Sequence, residues 1–190
     1  MKKHLLSAAL VAAFGFSAIG AASASDGKIT FSGTISAVTC TVKGGTGTNS
    51  TTTDFTVTLP TVATTALAAA DKTAGDTPFT VVVGGSGQTG CTDGKVAALR
   101  FEALSSPVSA STGRLTNHTA AGAATNVEIA LLNKANEVIN LSSNDKSSGS
   151  EETLTGNTAT LKYGARYVAT GGAATAGSIS SFVNFSVVYR

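Results

Sequence analysis

The chain has 190 residues, enough for one domain with a buried core. Only 13% of them are charged, Gly numbers 21 and Trp is absent, a mixture that suits short strands joined by Gly/Ser/Thr loops rather than helices. Two of the 13 basic residues, Lys2 and Lys3, lie in a leader-like start; without them 11 basic and 11 acidic residues remain, and no basic patch is left to hold nucleic acid or an anionic membrane.

Lys2, Lys3 and His4 precede an apolar run from Leu5 to about Ile19, and Ala22-Ser23-Ala24 follows it. Basic start, short apolar stretch and small-x-small site predict a secretory signal peptide over residues 1–24, with the mature chain starting at Ser25. A membrane anchor would need a longer, uninterrupted run. Next, Ile29, Phe31, Gly33 and Ile35 alternate with Lys28, Thr30, Ser32 and Thr34. Period two predicts a strand, and a glycine on its apolar side predicts close approach by another group. Cys40 and Cys91 are the two cysteines of an exported chain, so a disulfide is expected. It would close a loop of about fifty residues, worth roughly 4 kcal/mol in the chain-entropy account.

Residues 43–53 read as a flexible Gly/Thr loop, Phe55–Pro60 as a short strand stopped by proline, and Val62–Asp71 as a turn or two of helix. Further strands are expected at Phe79–Val83, Lys95–Glu102 and Asn126–Leu132, with Glu137–Leu141 pairing locally to the last of these. A polar loop spans residues 142–152. Thr158–Thr170 reads as one strand, or as two with a bulge at Gly164. After a loop over 171–177, Ile179, Val183, Phe185, Val187 and Tyr189 form an apolar row at every second position to the chain's end, broken only at Ser181, with Ser178, Ser180, Asn184 and Ser186 between them. About eight strands with turn signals between them predict an all-β sandwich of immunoglobulin-like type. Loops 43–53, 116–126 and 142–152 would be its exposed surfaces.

Chemistry is poorly served. Gly85–Gly90 matches GxGxxG, yet another turn follows rather than the helix N-terminus that a phosphate site needs. Beyond the leader the chain keeps one histidine, His118, in a Thr/Asn loop, where a solvated side chain is expected. One histidine supports neither a Ser/His/Asp set nor a metal shell. Neither an enzyme nor a cofactor is expected.

The order of ITFSGTISAVTC (29–40), TPFTVVV (77–83), DGKVAALRF (93–101) and KYGARYVAT (162–170) is specific when taken together. So is the ending, with Gly177 fourteenth from the C-terminus and Tyr189 penultimate. The chain resembles the structural pilins of the chaperone–usher pathway, type 1 fimbrial class. The resemblance implies an incomplete immunoglobulin-like sandwich in residues 37–190, completed in trans by a donor strand. The donor would be residues 25–36 of another copy or of a related pilin, inserting Ile29, Phe31, Gly33 and Ile35. Gly177, Ile179, Val183, Phe185, Val187, Tyr189 and Arg190 would form the groove edge and the site of a periplasmic chaperone, which would hold the terminal carboxylate of Arg190. An outer-membrane usher, and a fimbria on the surface of a Gram-negative cell serving attachment, complete the expectation. Any host receptor stays unnamed. A carbohydrate-binding or adhesive module acting through its loops, without polymerisation, is the alternative.

Overall fold

In the computed structural model, residues 28–30, 32, 33, 35, 37–143 and 149–190 are described. The chain divides into two units, Met1–Ile35 and Ser36–Arg190. Of the first unit, Lys28, Ile29, Thr30, Ser32, Gly33 and Ile35 are all exposed, and none belongs to a strand. Alternation creates a face to bury, but a strand exists only where a ladder partner supplies hydrogen bonds. The expected signal peptide, and the positions of Phe31 and Thr34, lie outside the described residues.

The second unit is all-β, with two short 3-10 turns and eight strands among its described residues. The strands are β1 (Val42–Gly44), β2 (Thr73–Gly84), β3 (Val96–Phe101), β4 (Leu115–Thr116), β5 (Val127–Leu132), β6 (Glu152–Thr153), β7 (Thr158–Ala169) and β8 (Phe185–Tyr189). One sheet runs β1-β2-β7-β5-β4 and the other β6-β3-β8. Every pairing is antiparallel. Phe79, Val81 and Val83 of β2, Ala97, Leu99 and Phe101 of β3, and Leu161, Tyr163 and Tyr167 of β7 meet between the sheets. Each is the inward member of a period-two row, and burying one large side chain contributes roughly 1.5–3 kcal/mol.

The expected bulge falls on the other strand. Gly164 stays in the ladder opposite Pro78, and the register slips instead between Ala74 and Thr77 of β2. Gly75 has φ +73° there, a conformation that glycine adopts without cost. Gly164 is glycine for a different reason: a Cβ would stand 3.3 Å from the Leu132 side chain. Pro78 is tolerated inside β2 because β1 pairs only Val81–Val83, leaving the proline beyond its reach.

The Cys40–Cys91 disulfide is present, across a separation of 51 residues. The loop after it is fixed by Asp93, whose carboxylate accepts the N–H groups of Gly156 (3.0 Å) and Asn157 (2.6 Å). Asn157 returns its amide to the Cys91 carbonyl at 2.7 Å. Asp93→Ala is expected to lower stability by about 1–2 kcal/mol, since charged acceptors make the stronger hydrogen bonds. Urea unfolding would measure it, with Asp93→Asn recovering part of the loss.

Three local expectations are corrected. The proline-stopped stretch at Phe55–Pro60 is extended but carries no strand, because no ladder reaches it. The 142–152 loop is not wholly solvent-facing: Ser150 is fully buried and its Oγ accepts the Lys134 N–H at 2.9 Å. His118 is half-buried rather than solvated. Its Nδ1 accepts the Ala120 N–H, so Nε2 carries the proton and donates to Ser178 Oγ at 3.1 Å.

Candidate strand-accepting groove

Among the described residues, the terminal strand β8 pairs along one side only. Its register with β3 runs from Phe101↔Phe185 to Ala97↔Tyr189. Glu102 donates to the Asn184 carbonyl, and Val96 and Arg190 exchange both backbone bonds, so residues 184 and 190 face β3. In an antiparallel ladder the intervening odd residues turn their N–H and C=O the other way. Phe185, Val187 and Tyr189 therefore present their backbone to an edge that no described strand covers.

A groove lies alongside. One wall is the chain from Ile179 to Phe185; the other is the extended stretch Thr53–Leu59, whose Phe55, Val57 and Leu59 turn inward. The floor is apolar, with Phe79, Val81, Leu99, Phe101, Leu115, Ile129, Leu131 and Tyr167. Its volume is about 790 Å³. At one level the walls meet: the rings of Phe55 and Phe185 lie 6.0 Å apart, and Phe55 also reaches Phe79 at 6.5 Å. A strand laid along the whole groove has to part the Phe55–Phe185 pair.

Of the residues singled out from sequence, Ile179, Val183 and Phe185 line this groove, half-buried. Val187 and Tyr189 pack against the core further along β8, outside the groove lining. The Tyr189 phenol is pushed up by burial, an effect partly offset by its hydrogen bond to the Cys40 backbone. That contact ties the last strand to the disulfide. Arg190 is exposed, with its guanidinium 2.8 Å from Glu151 Oε1. Ile29 and Ile35 are 80% and 101% exposed, Gly33 has open space where a Cβ would stand, and Phe31 lies outside the described residues.

Gly177 explains how the chain reaches the groove. A Cβ there would meet the Ala124 nitrogen and other backbone atoms of residues 122–124 far inside contact distance. The glycine lets the chain pass flush against that segment, where Ser178 N–H donates to Gly122 O and Ser178 O accepts the Ala124 N–H. From there Asn117 clamps the first wall, its Oδ1 accepting the Ser180 N–H at 2.9 Å and its Nδ2 donating to Ser178 O at 3.0 Å. Gly177→Ala is expected to cost about 1–3 kcal/mol, as overpacking against a fixed backbone does. Faster hydrogen exchange at Ala124 and Ser178 would register it.

Sequence reasoning missed the second wall. Its signal was present in the alternation Phe55-x-Val57-x-Leu59, but that pattern does not say whether the row faces a core or a cleft. The GxGxxG stretch is a turn whose Gln88 side chain joins it to Thr39 and Thr41, and no helix follows.

Comparison with known proteins agrees with this architecture. Residues 59–190 match the family model of FimA, type-1 fimbrial protein A. The major fimbrial subunit SMF-1 of Stenotrophomonas maltophilia is 39% identical over 177 residues, covering 90% of this chain and 96% of that protein. The F17 fimbrial protein of Escherichia coli is 37% identical over 167 residues, covering 87% and 88%. Among solved structures, the P pilus rod subunit PapA superposes with a TM-score of 0.52 at 16% identity, covering 86% of this chain and all of that one. At that identity the likeness speaks for the fold, and the closer relatives speak for the role. The chain belongs to the type-1 fimbrial protein family and is a structural subunit of a fimbria.

Proposed function

We propose that this subunit polymerises by donating residues 25–36 to the groove of a neighbouring copy or of a related pilin. The observation that carries the reading is the pairing of an apolar groove beside an open strand edge with an extension whose Ile29 and Ile35 stand in solvent. A strand added at an edge gains main-chain hydrogen bonds from the ladder and specificity from alternate side chains. Ile29, Phe31 and Ile35 would enter the groove, with Gly33 spanning a shallow point. Such donation is head-to-tail and does not close on itself, so it propagates as a filament.

Before assembly the same edge is an aggregation hazard, which supports a periplasmic chaperone lending a strand beside Phe185–Tyr189 and holding the Arg190 carboxylate. An outer-membrane usher would then exchange that strand for the next subunit's extension and pass the fibre to the cell surface. The test uses the chain shortened to begin at residue 37 and a synthetic peptide of residues 25–36. A rise in thermal midpoint that grows with peptide concentration is expected, as for any ligand of the folded state. No rise with the peptide in large excess would refute strand donation at this groove.

A further inference from the structure

Among the described residues of the unit Ser36–Arg190, three large apolar side chains stand out in solvent: Leu104 at 101% exposure, Phe182 at 58% and Val138 at 42%. Val138 stands apart, as single apolar residues on protein surfaces commonly do. The other two share one scaffold. Leu104 is the central residue of the 3-10 turn Ala103–Ser105 that follows β3. Phe182 lies two residues before Asn184, which pins that turn from three directions. The Asn184 carbonyl accepts the Glu102 N–H at 2.8 Å, its N–H donates to Ser106 Oγ at 3.0 Å, and its Nδ2 donates to the Ser105 carbonyl at 2.8 Å. Ser106 Oγ in turn donates to the Glu102 carbonyl at 2.7 Å. These polar bonds hold the turn, and a leucine side chain wholly in water contributes no apolar burial to the fold that holds it.

Phe182 belongs to two surfaces at once. It is part of the groove wall and also projects from it. Whatever fills the groove therefore passes beside Phe182, two residues along the chain from the Asn184 that holds the Leu104 turn. A copy of the chain that fills it brings its own domain along, because only the five residues 36–40 carry the chain from Ile35 to its disulfide anchor at Cys40. Fully extended, those residues span at most about 17 Å. The mature chain carries equal numbers of acidic and basic residues, so copies approach without strong mutual repulsion.

The geometry points to Leu104 and Phe182 as a second, body-to-body contact between neighbouring copies of this chain in the fibre, continuous with the groove. The inference rests on strand donation as the mode of assembly. It adds a contact made by the folded domain, which sets how firmly successive subunits are held against one another. The contact is desolvated only after assembly, so it stabilises the fibre and leaves the isolated subunit unchanged.

The test uses the full-length chain in fibre-bearing cells. A benzophenone amino acid placed at position 104, and separately at 138, is irradiated in the assembled fibre. A covalent dimer of the chain is expected from position 104 and not from 138. In parallel, Leu104→Glu should leave the unfolding transition of the purified subunit unchanged while isolated fibres release subunits at a lower temperature than wild type. Leu104→Ser serves the same purpose should the charge disturb folding. Loss of fibres from either variant, with the subunit still unfolding normally, would also support the contact. The proposal is overturned by absence of the dimer, by an adduct with a different protein, or by variant fibres as heat-resistant as wild type. Phe31→Asp keeps the two readings apart. Fibres that persist in that variant sink strand donation by residues 25–36, whereas failure at position 104 alone sinks only the body contact.

Discussion

Cells making the Phe31→Asp chain are expected to carry no fibres, although the subunit itself folds. In the proposed donor strand, Phe31 would be the largest member of the inserted row Ile29, Phe31, Gly33, Ile35. The groove that would receive it is floored by Phe79, Val81, Leu99, Phe101 and Leu131, with no charged residue among its floor side chains. Replacement removes roughly 1.5–3 kcal/mol of apolar burial. It also forces a carboxylate to enter that floor unpaired or to take up a proton first, a further penalty of several kcal/mol. The sum is at least comparable with the roughly 3–6 kcal/mol that Ile29 and Ile35 would contribute together. Thr30→Asp, one residue away on the alternate face, should assemble nearly as wild type. Negative-stain microscopy of the cells, with denaturant unfolding of both purified subunits, makes the comparison. Normal fibres from Phe31→Asp would show that residues 25–36 are not the donor in this register.

The second large effect concerns the disulfide. Replacing Cys40 and Cys91 together by serine is expected to lower stability by about 2–5 kcal/mol, with reduction of the wild-type chain giving a similar loss. A link across 51 residues restrains the unfolded chain strongly, near 4 kcal/mol in the chain-entropy account. In the folded state the link sits where three parts of the chain converge. Cys91 is fully buried, Thr39 N–H donates to the Gly90 carbonyl, Gly84 N–H donates to the Thr41 carbonyl, and Tyr189 bonds the Cys40 backbone. Without it the start of the domain is free to peel from the end of β2 and from the terminal strand, and the groove would lose its support at the Tyr189 end. Urea midpoints with and without reductant measure the effect. A loss below about 1 kcal/mol would mean that the hydrogen bonds hold the junction unaided.

The rows legible from sequence were those with long alternation and bulky inward residues: Lys95–Glu102, Asn126–Leu132 and Thr158–Thr170 became strands within a residue of their expected ends, whereas Phe79–Val83 proved to be the inner part of a longer strand that begins six residues earlier, at Thr73. The local pairing at Glu137–Leu141 also formed, with Ile139 N–H donating to the Leu131 carbonyl. Two-residue strands such as Leu115–Thr116 and Glu152–Thr153 carry no periodicity of their own and exist because β5 and β3 lie beside them. The terminal row split for a related reason. Residues 179–183 keep the alternation of a strand, but they run past the loop at Asn117–His118 rather than beside β3, so only Phe185–Tyr189 joins the ladder.

By itself, the amino-acid sequence determined what depends on neighbours along the chain. It set the leader-like start, the period-two rows with their apolar faces, the two cysteines left to pair with each other, and enough ordered motif to indicate the family. Tertiary structure alone decided which of those rows found a partner. Phe55–Leu59 and Ile29–Ile35 have the pattern of strands, yet Phe55–Leu59 and the described residues of Ile29–Ile35 are in no ladder, and among the described residues β8 is paired on one side only. A side-chain pattern states which face is to be buried. The backbone hydrogen bonds that complete a strand come from residues distant in sequence, and whether they are supplied is a property of the assembled sheet. The groove is the place in this domain where that supply stops.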